Sequence, residues 1–166
     1  GVPLQMTLLE EEGRMYLTVR KKDEYFLCVY EMGENELLLR QRISLGRHRF
    51  DFCRMSPAEG GILFTWENNE FSFVTRENEE SEEFCLWCRG EFPQASEELE
   101  IGGRPFPREN ACLFNGERLA LAAFERKTNM DVMLAVYDRS GMLYSGLYYN
   151  GGKPDPENPF VREAYG

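Results

Sequence analysis

Two stretches of this chain decide its predicted fold: YFLCVYE at Tyr25–Glu31 and VMLAVYD at Val132–Asp138. Both are apolar at almost every position, and both end in the same Val-Tyr-acid triplet before a polar turn. Runs of this composition between turn residues are typical of β-strands, and an apolar run with no alternation indicates a strand covered on both faces. Because the strand and its turn recur at two distant places, the sequence predicts a structural repeat.

The flanking segments extend each stretch into a set of four strands, and a further set lies between them. The predicted strands are Leu4–Leu9, Arg14–Arg20, Tyr25–Tyr30 and Glu36–Ser44; Arg49–Met55, Ile62–Glu67, Phe71–Arg76 and Glu83–Phe92; and Ala111–Phe114, Arg118–Arg126, Asp131–Asp138 and Met142–Tyr149. We therefore expect a single all-β domain over 1–150, in which antiparallel four-stranded sheets occur about three times, as repeats 4–45, 48–92 and 110–150. A Pro/Gly-rich tail, 151–166, follows.

Turns and loops separate these strands. Asn68-Asn69 and Asn115-Gly116 suit tight hairpins, because both residue types tolerate positive φ. Helix signals are weak: Ser96–Glu100 is too short before Gly102-Gly103 to form more than a turn. The segment Pro93–Asn110 is predicted to be a long loop, and loops of this length are often functional.

Four strands per repeat, joined by short hairpins, resemble the blades of a β-propeller. Met55–Phe64 (MSPAEGGILF) is similar to the turn between the first two blade strands in WD-repeat and related propellers, and Glu12–Leu17 and Asn115–Ala120 occupy the corresponding places. The Trp-Asp dipeptide and the Gly-His pair of the WD-repeat family are missing. The resemblance implies a propeller-like partial ring, since closed propellers typically have about four to eight blades.

Three arrangements would satisfy the open edges of such a partial ring. The chain is a piece of a longer protein, or two copies close a ring of six blades, or the strands instead form a single antiparallel β-barrel or β-sandwich. The sequence alone leaves all three open.

Composition narrows the function classes. A net charge of −10 and a pI near 4.7 argue against nucleic acid and against anionic membrane surfaces, which attract clustered lysine and arginine. No apolar run reaches the roughly 18 residues of a membrane-spanning helix. Five cysteines, mostly within apolar runs, favour free thiols in a reducing compartment, so we expect a cytoplasmic protein. The start at Gly1 without methionine is also consistent with a removed signal peptide.

His48, the single histidine, lies between Arg47 and Arg49. This cluster predicts either a contact for an anion or carboxylate, or simply a solvated loop. A hydrolase would have to use His48 as its base, together with a serine or cysteine nucleophile. No such partner is fixed by the sequence.

Other candidate residues form two groups. Glu79, Glu80 and Glu82 lie in the acidic run Glu77–Glu83, which lacks the glycine of a calcium loop and favours either a charged hairpin tip or a site for a basic partner. Tyr148 and Tyr149 would contribute aromatic faces to a ligand groove, unless they pack in the core.

A Cys85-x-x-Cys88 pair has the spacing of a zinc or redox motif. In a regular strand, residues three apart point to opposite faces, so we expect two packing cysteines. No catalytic residue, metal site or cofactor is predicted.

These observations favour a non-enzymatic binding or scaffolding protein that recognises a protein, a peptide or a small ligand through its loops, with self-association into a homodimer as one form of partner. Two alternatives remain. One is a small hydrolase with a site near His48, and the other is an acidic inhibitor or immunity-type protein that masks a basic partner.

Overall fold

The computed structural model describes residues 2–9, 13–49, 53–58, 60–66, 69–78, 80–92, 99–101, 112–125, 132–150 and 153–154. All regular elements in these ranges are β-strands, which confirms the all-β prediction. They are β1 (Val2–Leu9), β2 (Arg14–Lys21), β3 (Glu24–Met32), β4 (Leu37–Arg47), β5 (Cys53–Ala58), β6 (Gly61–Trp66), β7 (Glu70–Arg76), β8 (Phe84–Glu91), β9 (Leu99–Ile101), β10 (Cys112–Phe114), β11 (Leu119–Glu125), β12 (Val132–Asp138), β13 (Gly141–Asn150) and β14 (Lys153–Pro154).

The strands form three antiparallel sheets. The first sheet has the order β1-β2-β3-β4, the second β5-β6-β7-β8, and the third β10-β11-β12-β13-β14. In each sheet four consecutive strands (β1–β4, β5–β8 and β10–β13) form a meander of hairpins, and the repeated four-stranded pattern is confirmed. The described strands remain three separate hydrogen-bonded sheets and do not join into one closed barrel.

The third sheet carries two strands that the sequence did not predict, β9 and β14. β9 and β10 lie end to end along β11: Ile101 pairs with Ala123, and Cys112 pairs with Leu121. The edge beside β11 is thus formed by two separate strands. β14 pairs with the end of β13, so part of the predicted tail extends this sheet.

The three sheets stack in the order in which they occur along the chain, and equivalent strands of neighbouring sheets lie against each other. β1 lies against β5, and β5 against β10, while β4 lies against β8, and β8 against β13. The second sheet is therefore the middle layer, and each of its faces packs on a neighbour.

Two apolar clusters fill the spaces between the layers. The cluster between the first and second sheets includes Tyr25 and Leu27 on one side and Phe64 and Trp66 on the other. The cluster between the second and third sheets includes Phe71, Phe73 and Trp87 on one side, and Leu119 and Tyr137 on the other.

The strand most fully buried on both faces differs from the one that the sequence favoured. In β7, Phe71–Thr75 is buried throughout, whereas in β3 Phe26 and Tyr30 keep partial exposure. The structure therefore covers β3 on one face only, and its outer face is partly exposed, in contrast to the two-sided burial expected from its apolar run. Long-range packing decides this point, because β7 belongs to the middle layer.

The turn between β5 and β6 depends on two glycines. Gly60 has φ of +83°, a conformation that side chains rarely adopt. Gly61 lies at the close approach to β7, where an added Cβ would collide with the Phe73 ring and with the Val74 carbonyl oxygen. Since a backbone oxygen cannot turn aside, this position excludes any side chain.

We therefore expect Gly61→Ala to lower the free energy of unfolding by about 1–3 kcal/mol, as overpacking of a core does. Urea denaturation measures the change. Gly90→Ala is the matched control, because an added Cβ there meets only the Phe71 ring, at 3.4 Å or more, and Tyr137 at 4.0 Å. Equal stability of the two variants would contradict the proposed clash.

Candidate functional site

His48 is buried rather than solvated. It follows the end of β4, its side chain is 3% exposed, and its backbone N–H donates to the Asp23 carbonyl at 2.9 Å. The solvated-loop interpretation is therefore wrong for the histidine, although Arg47 and Arg49 on either side of it are exposed.

Both nitrogens of the His48 ring have partners. Nε2 lies 2.9 Å from the Leu45 carbonyl oxygen, and Nδ1 is bonded to the Glu70 carboxylate. The ring stacks on Trp66 with 3.4 Å between centroids and a 9° interplanar angle, and the edge of Tyr25 meets it at 5.7 Å. These contacts join the end of the first sheet to β6 and β7 of the second.

This geometry fixes the role of the imidazole. A carbonyl oxygen only accepts, so Nε2 carries a proton and donates it to Leu45. Ser72 Oγ donates to the same oxygen at 3.0 Å and not to the ring. Since Glu70 occupies the other nitrogen, no ring atom is left to activate a hydroxyl or thiol in the described part of the chain. The hydrolase alternative gains no support from this arrangement.

Replacement of His48 should therefore affect stability. His48→Phe keeps a ring against Trp66 but leaves the Leu45 carbonyl and the Glu70 carboxylate without their shared partner. Hydrogen bonds to charged groups contribute about 1.5–3 kcal/mol, and we expect a loss of that size in urea denaturation. Arg47→Gln, an exposed change one residue away, should stay within about 0.5 kcal/mol. An unchanged midpoint for His48→Phe would show that the network contributes nothing.

The acidic run forms an exposed hairpin tip between β7 and β8. Glu80 and Glu82 are exposed, and Glu79 lies outside the described residues. Glu82 forms an ion pair with Arg14 of the first sheet at 3.2 Å. One of the carboxylates that the sequence assigned to a site for a basic partner is thus paired with an arginine of the same chain.

The two predicted tyrosines lie in the last long strand, β13. Tyr149 is opposite Val132 of β12 and Pro154 of β14. The side chains of Tyr148 and Tyr149 lie outside the described residues, so their predicted role in a groove stays a prediction. Their backbone belongs to the third sheet, whereas His48 contacts the first and second sheets and the acidic hairpin belongs to the second.

A β-bulge changes the prediction for the Cys85-x-x-Cys88 pair. Phe73 pairs with Cys88 and Val74 with Leu86, which leaves Trp87 as an extra residue in β8. Trp87 and Cys88 consequently both face the third sheet, and Cys85 contacts Arg139 of that sheet at 3.8 Å. The expected opposite orientation of the two cysteines is wrong, because the bulge shifts the alternation by one residue.

The cysteines of the core hold their protons strongly. Burial raises the pKa of Cys53 to about 12 and those of Cys88 and Cys112 to about 11 from an ordinary value of 9.0, and the negative charge of Asp138 adds to the effect at Cys88. All five cysteines are free thiols.

Stability should fall at alkaline pH as a result. Thiols of the unfolded chain ionise near pH 9, whereas the folded ones stay protonated until about pH 11. Their stabilising effect is complete below pH 9 and is lost as the pH rises from 9 towards 11. Urea midpoints at pH 8, 9, 10 and 10.5 should decline, and more shallowly in Cys88→Ala. A flat series would contradict the assignment.

A cavity of about 560 Å³ opens at one end of the stack, between the second and third sheets. Its walls are the turns of four hairpins and the strand ends beside them. The lining residues are Gly60, Thr75, Arg76, Glu77, Asn78, Trp87, Phe114, Asn115, Gly116 and Arg139. The volume lies within the roughly 300–1,000 Å³ of small-ligand sites.

Aromatic rings form the apolar part of this cavity. Trp87 and Phe114 meet edge to face with 4.9 Å between centroids, and Phe73 lies 4.9 Å from Phe114 behind them. Phe114 reaches this position over Gly60, where an added Cβ would lie 3.1 Å from the ring. The glycine turn and the aromatic wall therefore belong to one arrangement.

Charged and polar groups form the rim. Arg76 and Arg139 bring two guanidinium groups, and Glu77 brings one carboxylate. Arg76 also lies 5.6 Å from the ring centre of Phe84, and it lines a neighbouring cavity of about 410 Å³ between the first and second sheets. Asn115 fixes its turn by accepting hydrogen bonds from the N–H groups of Glu117 and Arg118, at 3.0 and 2.8 Å.

Sequence reasoning identified the turns of this cavity but not the cavity itself. The sequence predicts the Asn115-Gly116 turn and the polar turn after Asp138. Nothing in the sequence placed Arg76 beside Arg139, since the two belong to different sheets.

Comparison with protein-family models, with curated proteins and with solved structures found no match to this chain. Within the described ranges, no helix has the length and apolar character that a membrane crossing would need. Three or more histidine, cysteine or acidic side chains do not gather into a metal-binding group in the same ranges.

Proposed function

We propose that this protein is a non-enzymatic binding module, and that the cavity between the second and third sheets receives a carboxylate beside an apolar group. Such a ligand is a small organic acid or an acidic peptide. The juxtaposition of two guanidinium groups with the Trp87–Phe114 wall carries the proposal.

The charged half of the ligand is matched by Arg76 and Arg139. Guanidinium groups present parallel N–H donors that fit both oxygens of a carboxylate, which gives orientation as well as affinity. With Glu77 on the same rim, the lining keeps one excess positive charge. This charge contrasts with the net −10 of the whole chain and makes the cavity a local exception.

The apolar half of the ligand is matched by the aromatic wall. Trp87 is 8% exposed, so it presents a limited face, and Phe114 beside it is half-buried. An apolar side chain packed against these rings would bury apolar surface. The loss of conformational entropy on binding would be small, because the strands already hold both rings in place.

Calorimetric titration with a panel of short peptides tests the proposal. The panel pairs acidic peptides that contain phenylalanine with glutamine-containing, amidated counterparts of the same shape. We expect binding of the acidic members, and a loss of about tenfold or more in Arg139→Gln, since a charge-assisted hydrogen bond contributes about 1.5–3 kcal/mol.

Arg118→Gln is the matched control, because Arg118 is exposed at the same end of the stack but does not line the cavity. It should leave affinity unchanged. Equal affinity for acidic and amidated peptides, or no binding of any acidic member at millimolar concentration, would contradict the proposed ligand class.

We also propose the cytoplasm as the compartment of this protein. All five cysteines are free, four of them buried, and free thiols of this number persist most readily where the surroundings are reducing.

A further inference from the structure

Large apolar side chains are exposed at few places in the described residues, and most of these places lie on the two outward faces of the stack. The exposed residues are Met32, Leu37, Leu39, Leu113, Met142, Leu143 and Tyr144. The first three lie on the outer face of the first sheet, and Leu113 and Tyr144 lie on the outer face of the third. The register of the strands establishes both assignments.

On the first sheet, Tyr16 and its partner Val29 face the second sheet. The residues that alternate with them face outward: Met15 is opposite Tyr30, and Tyr30 is opposite Leu39 in β4. Farther along the same hairpin, Met32 is opposite Leu37. The two outermost leucines are 54% and 52% exposed.

This outer face has the same register as a face that is buried inside the chain. Met15 in the first sheet and Leu119 in the third sheet occupy equivalent positions near the start of their strands. Met15 is opposite Tyr30, and Leu119 is opposite Tyr137. Tyr137 is only 2% exposed, because it packs against Phe71 of the second sheet at 4.8 Å. The first sheet thus presents outward the face with which the third sheet contacts its neighbour.

The outer face of the third sheet is the complementary one. Ala120 is opposite Val136, and these correspond to Tyr16 and Val29, with which the first sheet packs on the second. Val136 is itself covered, whereas Leu113 beside Ala120 is 68% exposed and Tyr144 beside Val136 is 37% exposed. The stack therefore ends in two different apolar faces, each with the register of a face that is buried elsewhere in the same chain.

We propose that a second copy of this chain covers both faces. The outer face of the first sheet of one copy packs on the outer face of the third sheet of its partner, and the reverse contact forms at the other end. Two equivalent head-to-tail contacts then close a ring of six sheets, continuing the packing that already joins the sheets of one copy. Six lies within the typical range for closed propellers, about four to eight blades.

Light scattering after size-exclusion chromatography tests the ring. The wild type should have twice the 19.4 kDa mass of one chain across micromolar concentrations. Leu39→Glu and Leu113→Glu should each give monomers, because each places a charge in both contacts of the ring. Met142→Glu is the matched control: Met142 is 50% exposed but opposite Tyr137, away from the outer faces, so this variant should stay dimeric.

Mixing the two interface variants separates head-to-tail packing from other dimers. A mixed pair retains one intact contact, between the third sheet of the Leu39→Glu copy and the first sheet of the Leu113→Glu copy. Native mass spectrometry should therefore detect mixed dimers where neither variant alone forms dimers. A monomeric wild type, a polydisperse series of larger species, or a dimer that survives Leu113→Glu would overturn the proposal. Circular dichroism spectra like those of the wild type establish that the variants fold.

Discussion

The burial of the second sheet on both faces is the constraint on which the rest of the structure depends. In β7, Phe71 and Phe73 point towards the third sheet, while Ser72 and Val74 point towards the first. Burial of one phenylalanine side chain contributes roughly 1.5–3 kcal/mol, so the loss of either neighbouring layer would expose more apolar surface than a domain of marginal stability tolerates. The three sheets therefore form one cooperative body, although hydrogen bonds join strands only within each sheet.

Stacking in a common strand order also explains the positions of the cavity and of the His48 cluster. Hairpin turns from the second and third sheets meet at one end, and there they line the cavity together with Arg76, Arg139 and the aromatic wall. At the opposite end, His48 lies between the first and second sheets, with its stack on Trp66 and its bonds to Leu45 and Glu70. His48 thus fills the gap between the first two sheets at one end, whereas a cavity lies between the second and third sheets at the other end.

The features that the sequence predicted are those that local residues determine. Strands follow from apolar runs, and turns follow from residues that accept positive φ, as Asn69 and Gly116 do at +61° and +92°. What the sequence did not predict depends on distant partners. The burial of His48 requires Glu70, the orientation of Cys88 requires the bulge opposite Phe73, and β9 exists only because β11 offers it an edge. A three-residue strand has too little pattern to be recognised by itself.

The split edge strand of the third sheet has a consequence for how this protein can change over time. Ile101 and Cys112 pair with Ala123 and Leu121, so one position of β11, Ala122, separates the two halves. The ladder is maintained by the two flanking pieces, whatever number of residues joins them, and the entropy of closing such a connection rises only with the logarithm of its length. We therefore expect this edge of the sheet to tolerate changes in the number of residues between Ile101 and Cys112. A foreign sequence grafted between these two residues should leave the pairing of β9 and β10 with β11 intact.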